Sequence, residues 1–151
     1  MNIVKLDLLD DSIVEKIINL EKKSYQIEAD LINFYNIPQL HDTVEKLRRC
    51  NEIFIGYFEG NVLAGIISYQ LIGSELEICR LAVDPGYFRK GIAGTLIDSI
   101  ENMDANVERI TVTTGKNNTP AVNFYRKCGY IFESTFTVEE ILELSEFSKL
   151  L

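Results

Sequence analysis

The segment Leu76-Glu77-Ile78-Cys79-Arg80-Leu81-Ala82-Val83 reads as a strand, and Asp84-Pro85-Gly86 breaks it. Beyond Tyr87-Phe88 the chain passes through Arg89-Lys90-Gly91-Ile92-Ala93-Gly94-Thr95 into helical spacing, with Ile92, Leu96, Ile97, Ile100 and Met103 on one face. A helix start leaves its first N–H groups without intrahelical partners and carries partial positive charge, so an anion is stabilised there. Arg89 and Lys90 add full charges. Gly91 and Gly94 remove side chains where an anion would approach the backbone, and Ala93 is nearly as small. Two readings share the stretch: a phosphate cradle, or an ordinary strand-turn-helix with solvated basic residues. Spacing excludes a nucleoside triphosphatase loop and a dinucleotide fingerprint, since neither G-x-x-x-x-G-K-[ST] nor G-x-G-x-x-G occurs.

The rest of the chain supplies the frame. Ile3 to Leu8 alternates and reads as a strand, and Ser12-Ile13-Val14-Glu15 has capping-box spacing at the start of a helix. From Ser24 to Leu40 there is no clear period, so short helix and loops are expected, either lining a groove or covering the core. Asp42 to Arg49 is a helix in expectation, with Asp42 and Glu45 at capping-box spacing. Ile53 to Phe58 and Val62 to Leu71 flank Glu59-Gly60-Asn61 and predict a hairpin. Ile72-Gly73-Ser74 then turns the chain into the Leu76 strand. Ile110 to Thr114 is a further strand, parallel to its predecessor because a helix joins them. Asn118 or Thr119 caps a helix over Ala121 to Cys128, with Pro120 in its first turn and Gly129 at its end. Ile131 to Val138 is a strand, and the tail fits either a helix or an edge strand.

That order means an α/β fold with a mixed sheet. At 151 residues and 46% apolar content, one domain spanning 1–151 is expected. No apolar run reaches the roughly 18 residues that span a bilayer, and the N-terminus lacks a signal-peptide pattern, so the expectation is a cytoplasmic protein without membrane contact. Cys50, Cys79 and Cys128 are widely spaced and form no C-x-x-C pair, and His41 is the sole histidine. Reduced thiols and no metal site are expected. A net charge of −8 argues against nucleic-acid binding, so any anion site is local.

Two motifs resemble the GNAT superfamily of acetyl-CoA-dependent N-acetyltransferases. Val83-Asp84-Pro85 through Gly91-Ile92-Ala93-Gly94 is similar to the family's pyrophosphate loop, although Phe88 stands where the family usually carries Gln or Arg. Asn118-Thr119-Pro120-Ala121-Val122-Asn123-Phe124-Tyr125-Arg126-Lys127-Cys128-Gly129-Tyr130 is similar to its second signature. The resemblance covers the chain from about Ile53 onward. It implies a GNAT-like fold with a mixed, mostly antiparallel central sheet and helices on both faces, and it makes Leu142 to Lys149 the last strand. It further implies acetyl-CoA as co-substrate, bound through Leu81, Ala82 and Val83, the segment Arg89, Lys90, Gly91, Ile92, Ala93, Gly94 and Thr95, and Asn118, Ala121 and Tyr125. Phe124 is expected in the core.

An amine that attacks a thioester must be neutral, whereas a free alkylamine is mostly protonated at pH 7, so a nearby carboxylate is needed to take the proton. The resemblance gives that role to Glu77, with Glu75 as fallback, and gives Tyr125 the protonation of the departing thiolate. The bland alternatives are a solvent-facing charge at Glu77 and a packed aromatic at Tyr125. The implied reaction is direct acetyl transfer to a primary amine in a ternary complex. A non-catalytic acyl-CoA sensor and a generic phosphate-binding domain are the competing readings. The strand Thr111-Val112-Thr113-Thr114 lacks the glutamate typical of acetyltransferases of ribosomal-protein N-termini, which counts against that acceptor. The amine acceptor, small molecule or peptide, is open, as is pairing into a homodimer.

Overall fold

The computed structural model describes residues 2–151. A short strand β1 (Ile3–Lys5) leads into helix α1 (Asp11–Ile32), and a 3-10 turn at Pro38–His41 precedes helix α2 (Val44–Arg49). Strands β2 (Ile53–Glu59), β3 (Val62–Ile72) and β4 (Glu75–Val83) follow as a meander. Helix α3 (Ile92–Glu101), strand β5 (Arg109–Gly115), helix α4 (Thr119–Lys127) and the hairpin β6 (Ile131–Val138) and β7 (Leu142–Leu150) complete the chain. The seven strands form one sheet in the order β1-β2-β3-β4-β5-β7-β6. Only β4 and β5 run parallel, because α3 carries the chain back across the sheet between them. The tail is therefore the strand that family resemblance implied, paired with both β5 and β6.

Helices cover both faces. On one, Leu96, Ile97 and Ile100 of α3 and Tyr125 of α4 pack with Ile67, Leu76, Ile110 and Phe147. On the other, Val14, Ile17 and Leu20 of α1 and Leu47 of α2 pack with Leu6, Phe54, Ile66 and Ala82. Gly65 lets α3 lie directly on β3, since a Cβ there would stand 2.7 Å from Ile92 Cγ2. No helix among the described residues is long and apolar enough to cross a membrane.

Several boundaries differ from expectation. The first strand stops at Lys5, and Asp10 rather than Ser12 caps α1, its side chain accepting from the Ser12 N–H. The helix does not end near Ser24. It continues to Ile32, where Asn33 takes a left-handed conformation and closes it. Its buried stripe includes Val14, Ile17, Glu21, Tyr25 and Ala29, so a charged residue interrupts the hydrophobic period midway. Thr43 caps α2 in place of Asp42, and α3 ends at Glu101, leaving Met103 beyond it.

Both Glu21 and Asp42 are diverted to one buried cation. Arg80 Nη1 donates to Glu21 Oε1 and Oε2 at 3.0 Å and to Asp42 Oδ2, while its Nε donates to Glu52 Oε1 at 2.9 Å. Glu52 also accepts from Ser68 Oγ, and the guanidinium lies over the Phe54 ring. Burial pushes the Glu21 carboxyl from 4.5 up to about 8; Arg80 pulls it down, and Asp42 adds to the rise. The folded state thus holds a proton that the unfolded chain releases near 4.5. Stability from that proton is complete below 4.5 and lost as pH rises through about 8. Urea unfolding measured between those limits should show stability falling with pH, and Glu21→Gln should flatten the slope. Arg80→Leu, which strands the carboxylates, should lower stability by about 3–5 kcal/mol.

Candidate functional site

The pairing of β4 with β5 ends at Ile78–Val112, although β4 continues to Val83 and β5 to Gly115. Beyond that point the strands part. The register of β4 against β3 jumps from Ile78–Tyr69 to Arg80–Ser68, leaving Cys79 bulged at the point of separation. The gap opens into a cavity of about 1190 Å³, walled by Leu81 and Val83 on one side and Val112 to Gly115 on the other.

One end of the cavity is the basic loop. Asp84 accepts from the Gly86 N–H and starts a tight turn at Pro85–Tyr87. Arg89 (φ 63°) and Gly91 (φ 75°) are both left-handed, which curls the chain on either side of Lys90 before α3 begins. Among the described residues none accepts a hydrogen bond from the backbone amides of Arg89 to Gly94. Successive free amides at a helix start form a concave anion site. A Cβ on Gly94 would meet no protein atom within 4 Å, so packing does not demand glycine there; its absence of side chain keeps the cavity open.

Helix α4 forms the adjacent wall. Asn118 caps it, its Oδ1 accepting from the Ala121 N–H, while its Nδ2 donates to Glu28 Oε1 at 3.0 Å. Tyr125 is buried and packs edge-on against Phe124 and Tyr130. Its hydroxyl has no hydrogen-bond partner among the described residues, yet it is not a sealed orphan, so it opens onto the cavity. Burial, the Glu28 charge and Cys128 all hold that phenol protonated well above its ordinary range. Phe124, expected in the core, is only partly buried and lines the cavity.

The opposite wall comes from α1 and the segment after it, with Tyr25, Glu28, Leu31 and Phe34 facing the β6–β7 turn. Burial raises the Glu28 carboxyl above 4.5, and the hydrogen bond from Asn118 opposes the rise. Tyr25 is also held protonated, first by burial and then by Glu21 and Glu28. The Cys79 thiol lines the cavity but is pushed up to about 12 by burial, with Glu52 and Glu77 adding to it, which makes it a poor nucleophile.

Of the residues singled out from sequence, the structure brings Leu81, Val83, Arg89, Gly91, Ile92, Ala93, Gly94, Asn118, Ala121 and Tyr125 to this cavity. Ala82, Lys90 and Thr95 are not part of the lining. Ala82 is buried in the core beneath α1, Lys90 lies over the Tyr87 ring at 5.1 Å, and the Thr95 N–H is taken by Gly91 O. Glu77 does not reach the cavity either. It sits where β4 is still paired on both sides, with Gln70 and Thr111, one residue short of the parting, and its side chain is exposed. Glu75 is engaged by Arg109 at 2.9 Å. Two carboxylates do line the cavity, Glu28 beside Asn118 and Glu139 on the β6–β7 turn, and sequence reasoning missed both. The only signal for Glu28 was its spacing, seven positions after Glu21 and so two turns along the same helix face.

Residues 14–130 match the acetyltransferase (GNAT) family. The UPF0157 protein YqkA of Bacillus subtilis is 36% identical over 136 residues, which are 90% of this chain and 40% of that protein, so the chain spans well under half the length of this relative. The PaiA N-acetyltransferase of Thermoplasma acidophilum, solved in complex with coenzyme A, superposes with a TM-score of 0.77 at 23% identity, covering 95% of this chain and 96% of that one. The ribosomal-protein-S18-alanine N-acetyltransferase of Escherichia coli superposes with a TM-score of 0.76 at 14% identity, covering 98% and 92%. These two likenesses establish the fold.

Asn118 joins the cap of α4 to the carboxyl of Glu28, so Asn118→Ala should act on both. Stability should fall by about 1 kcal/mol from the lost cap. The Glu28 carboxyl should titrate at still higher pH, because the hydrogen bond that lowers it is gone. Denaturant unfolding and carbon-13 titration of the labelled carboxyl read the two effects separately.

Proposed function

The chain belongs to the GNAT acetyltransferase family, and from that premise we propose that it transfers an acetyl group from acetyl-CoA to a primary amine by direct attack in a ternary complex. The observation that carries this reading is the parting of β4 from β5 into a cavity that ends at the free amides of Arg89 to Gly94. The pyrophosphate of the co-substrate suits those amides and the Arg89 side chain. The backbone of Leu81 and Val83, left without a strand partner on the β5 side, suits the amide-bearing arm as an added strand. Acetyl-CoA supplies the activated acyl group; the rest of the chemistry is proton management by this chain.

Glu28 is the base in this reading. It accepts a proton from the incoming ammonium, directly or through water, and the neutral amine then attacks the carbonyl carbon. Asn118 holds the Glu28 carboxylate in place. As the carbon–sulfur bond breaks, the Tyr125 hydroxyl delivers a proton to the departing sulfur, and the phenolate left behind is restored by the second proton that the nitrogen releases on becoming an amide. That phenol keeps its proton at neutral pH because it is buried near an acidic group. The inert Cys79 thiol agrees with direct attack rather than an acyl-enzyme step.

With acetyl-CoA and a panel of primary amines, Tyr125→Phe should lower kcat by about 10²–10⁴-fold with little change in the KM for acetyl-CoA. The acidic limb of kcat/KM should lie above 4.5, rising as Glu28 ionises, and should vanish in Glu28→Gln. Tight CoA binding with no turnover of any amine would instead leave a sensor.

Gly94→Leu tests the cradle. The fold should be unharmed or gain up to about 1 kcal/mol, since leucine favours helix over glycine and its Cβ meets no protein atom within 4 Å. CoA affinity measured by calorimetry should fall at least about tenfold, because the side chain fills space that the ligand needs.

A further inference from the structure

The acceptor end of the cavity has its own chemistry. Its walls are α1, the segment from Phe34 to Gln39, and the β6–β7 turn, with Ile27, Leu31, Phe34 and Leu142 giving it an apolar body. Its charged groups are two carboxylates, Glu28 deep inside and Glu139 at the mouth. Among the described residues no lysine, arginine or histidine of these three segments belongs to the lining. The cations elsewhere in the lining are committed or remote. Arg80 is saturated by Glu21, Asp42 and Glu52, Arg89 lies on the amide loop, and Lys127 ends α4. Lys116 is paired with Glu143 at 3.2 Å outside the lining, and His41 lies against the Tyr35 carbonyl.

Glu139 is held over the mouth. Its Oε1 accepts from Asn36 Nδ2 at 3.0 Å, bridging the turn to the segment after α1 across 103 residues of sequence. The turn itself is unusual, because Glu139 (φ 52°) and Glu140 (φ 64°) are consecutive left-handed residues. Such positions favour Asn-Gly, and a glutamate at each is strained.

From this charge pattern we propose that the acceptor is a cationic amine on an apolar body with no anionic group beside the amine, an aralkyl- or alkylamine rather than an amino acid, and that Glu139 enforces the choice. This rests on the acetyl-transfer reading above. A carboxylate on the acceptor would face Glu28 and Glu139 with no free cation to pair it. Like charges facing one another there repel, whereas an ammonium is attracted. The apolar walls hold the remainder of the molecule without adding a polar requirement.

Phenethylamine and L-phenylalanine share one aromatic body and differ in the α-carboxylate, so they isolate the charge effect. Acetyl transfer to phenethylamine should exceed that to L-phenylalanine by at least about 100-fold in kcat/KM. Glu139→Lys, on an exposed turn, should fold normally, leave the KM for acetyl-CoA unchanged and narrow the ratio at least about tenfold. Heat-shift of the CoA-bound protein with each compound reads binding apart from turnover. Equal or better use of L-phenylalanine, or no binding of phenethylamine by protein that does bind CoA, overturns the acceptor assignment while the transfer reading stands. An unchanged ratio in Glu139→Lys overturns the role of Glu139. Failure to bind CoA at all overturns the transfer reading itself, and this proposal with it.

Discussion

Arg80 is the point on which the site depends. It lies just past the bulge at Cys79, where β4 leaves β5, and it binds three carboxylates from three other segments: Glu21 in α1, Asp42 ahead of α2 and Glu52 ahead of β2. Taking a guanidinium and several carboxylates out of water is expensive, and their mutual attraction offsets that only when the geometry is satisfied. Here the charged groups hydrogen-bond one another, and no buried side-chain polar atom among the described residues lacks a partner. The cluster therefore fixes α1 against the free part of β4. One and two turns beyond Glu21, the same helix puts Tyr25 and Glu28 over the gap.

The cavity walls then impose one electrostatic character. Glu28, Tyr25 and Tyr125 are all pushed toward their protonated forms, and burial is the first cause in each case. The Glu28 charge adds to the rise at both tyrosines, so neither ionises readily while Glu28 is charged. A carboxyl that gains a proton easily beside a phenol that keeps one suits a proton moving in at one wall and out at another. At the far end the field reverses. Free amides, the start of α3 and Arg89 supply positive potential within a chain whose net charge is −8. One cavity therefore offers an anion-binding end and an acidic, apolar end, with the parted strands between them.

The two site motifs were legible in sequence because each is local. Glycine and basic residues after a strand, and Asn-Thr-Pro before a short helix, act through their own backbone geometry and caps, so residue order alone predicts them. The β2–β3–β4 meander and the parallel β4–β5 pair were legible for the same kind of reason, through turn residues and a crossover helix. The length of α1 was not. Glu21 occupies a core position that hydrophobic periodicity counts as surface, and only its distant partner Arg80 makes that position tolerable.

The placement of the carboxylates shows the same division. The family resemblance pointed to Glu77, but where β4 detaches from β5 is set by a register jump against β3, which no local pattern encodes. By itself the sequence determined the fold class and the order of elements up to the tail, while the family resemblance of its two motifs supplied the last strand, the amide cradle, and Asn118 and Tyr125 beside it. Tertiary structure alone decided that Glu77 stays outside, that Glu28 comes to Asn118 across 90 residues, and that Glu139 closes over the mouth. Caps and turns are short-range backbone interactions, whereas burial of a charge is settled only when its distant partner arrives.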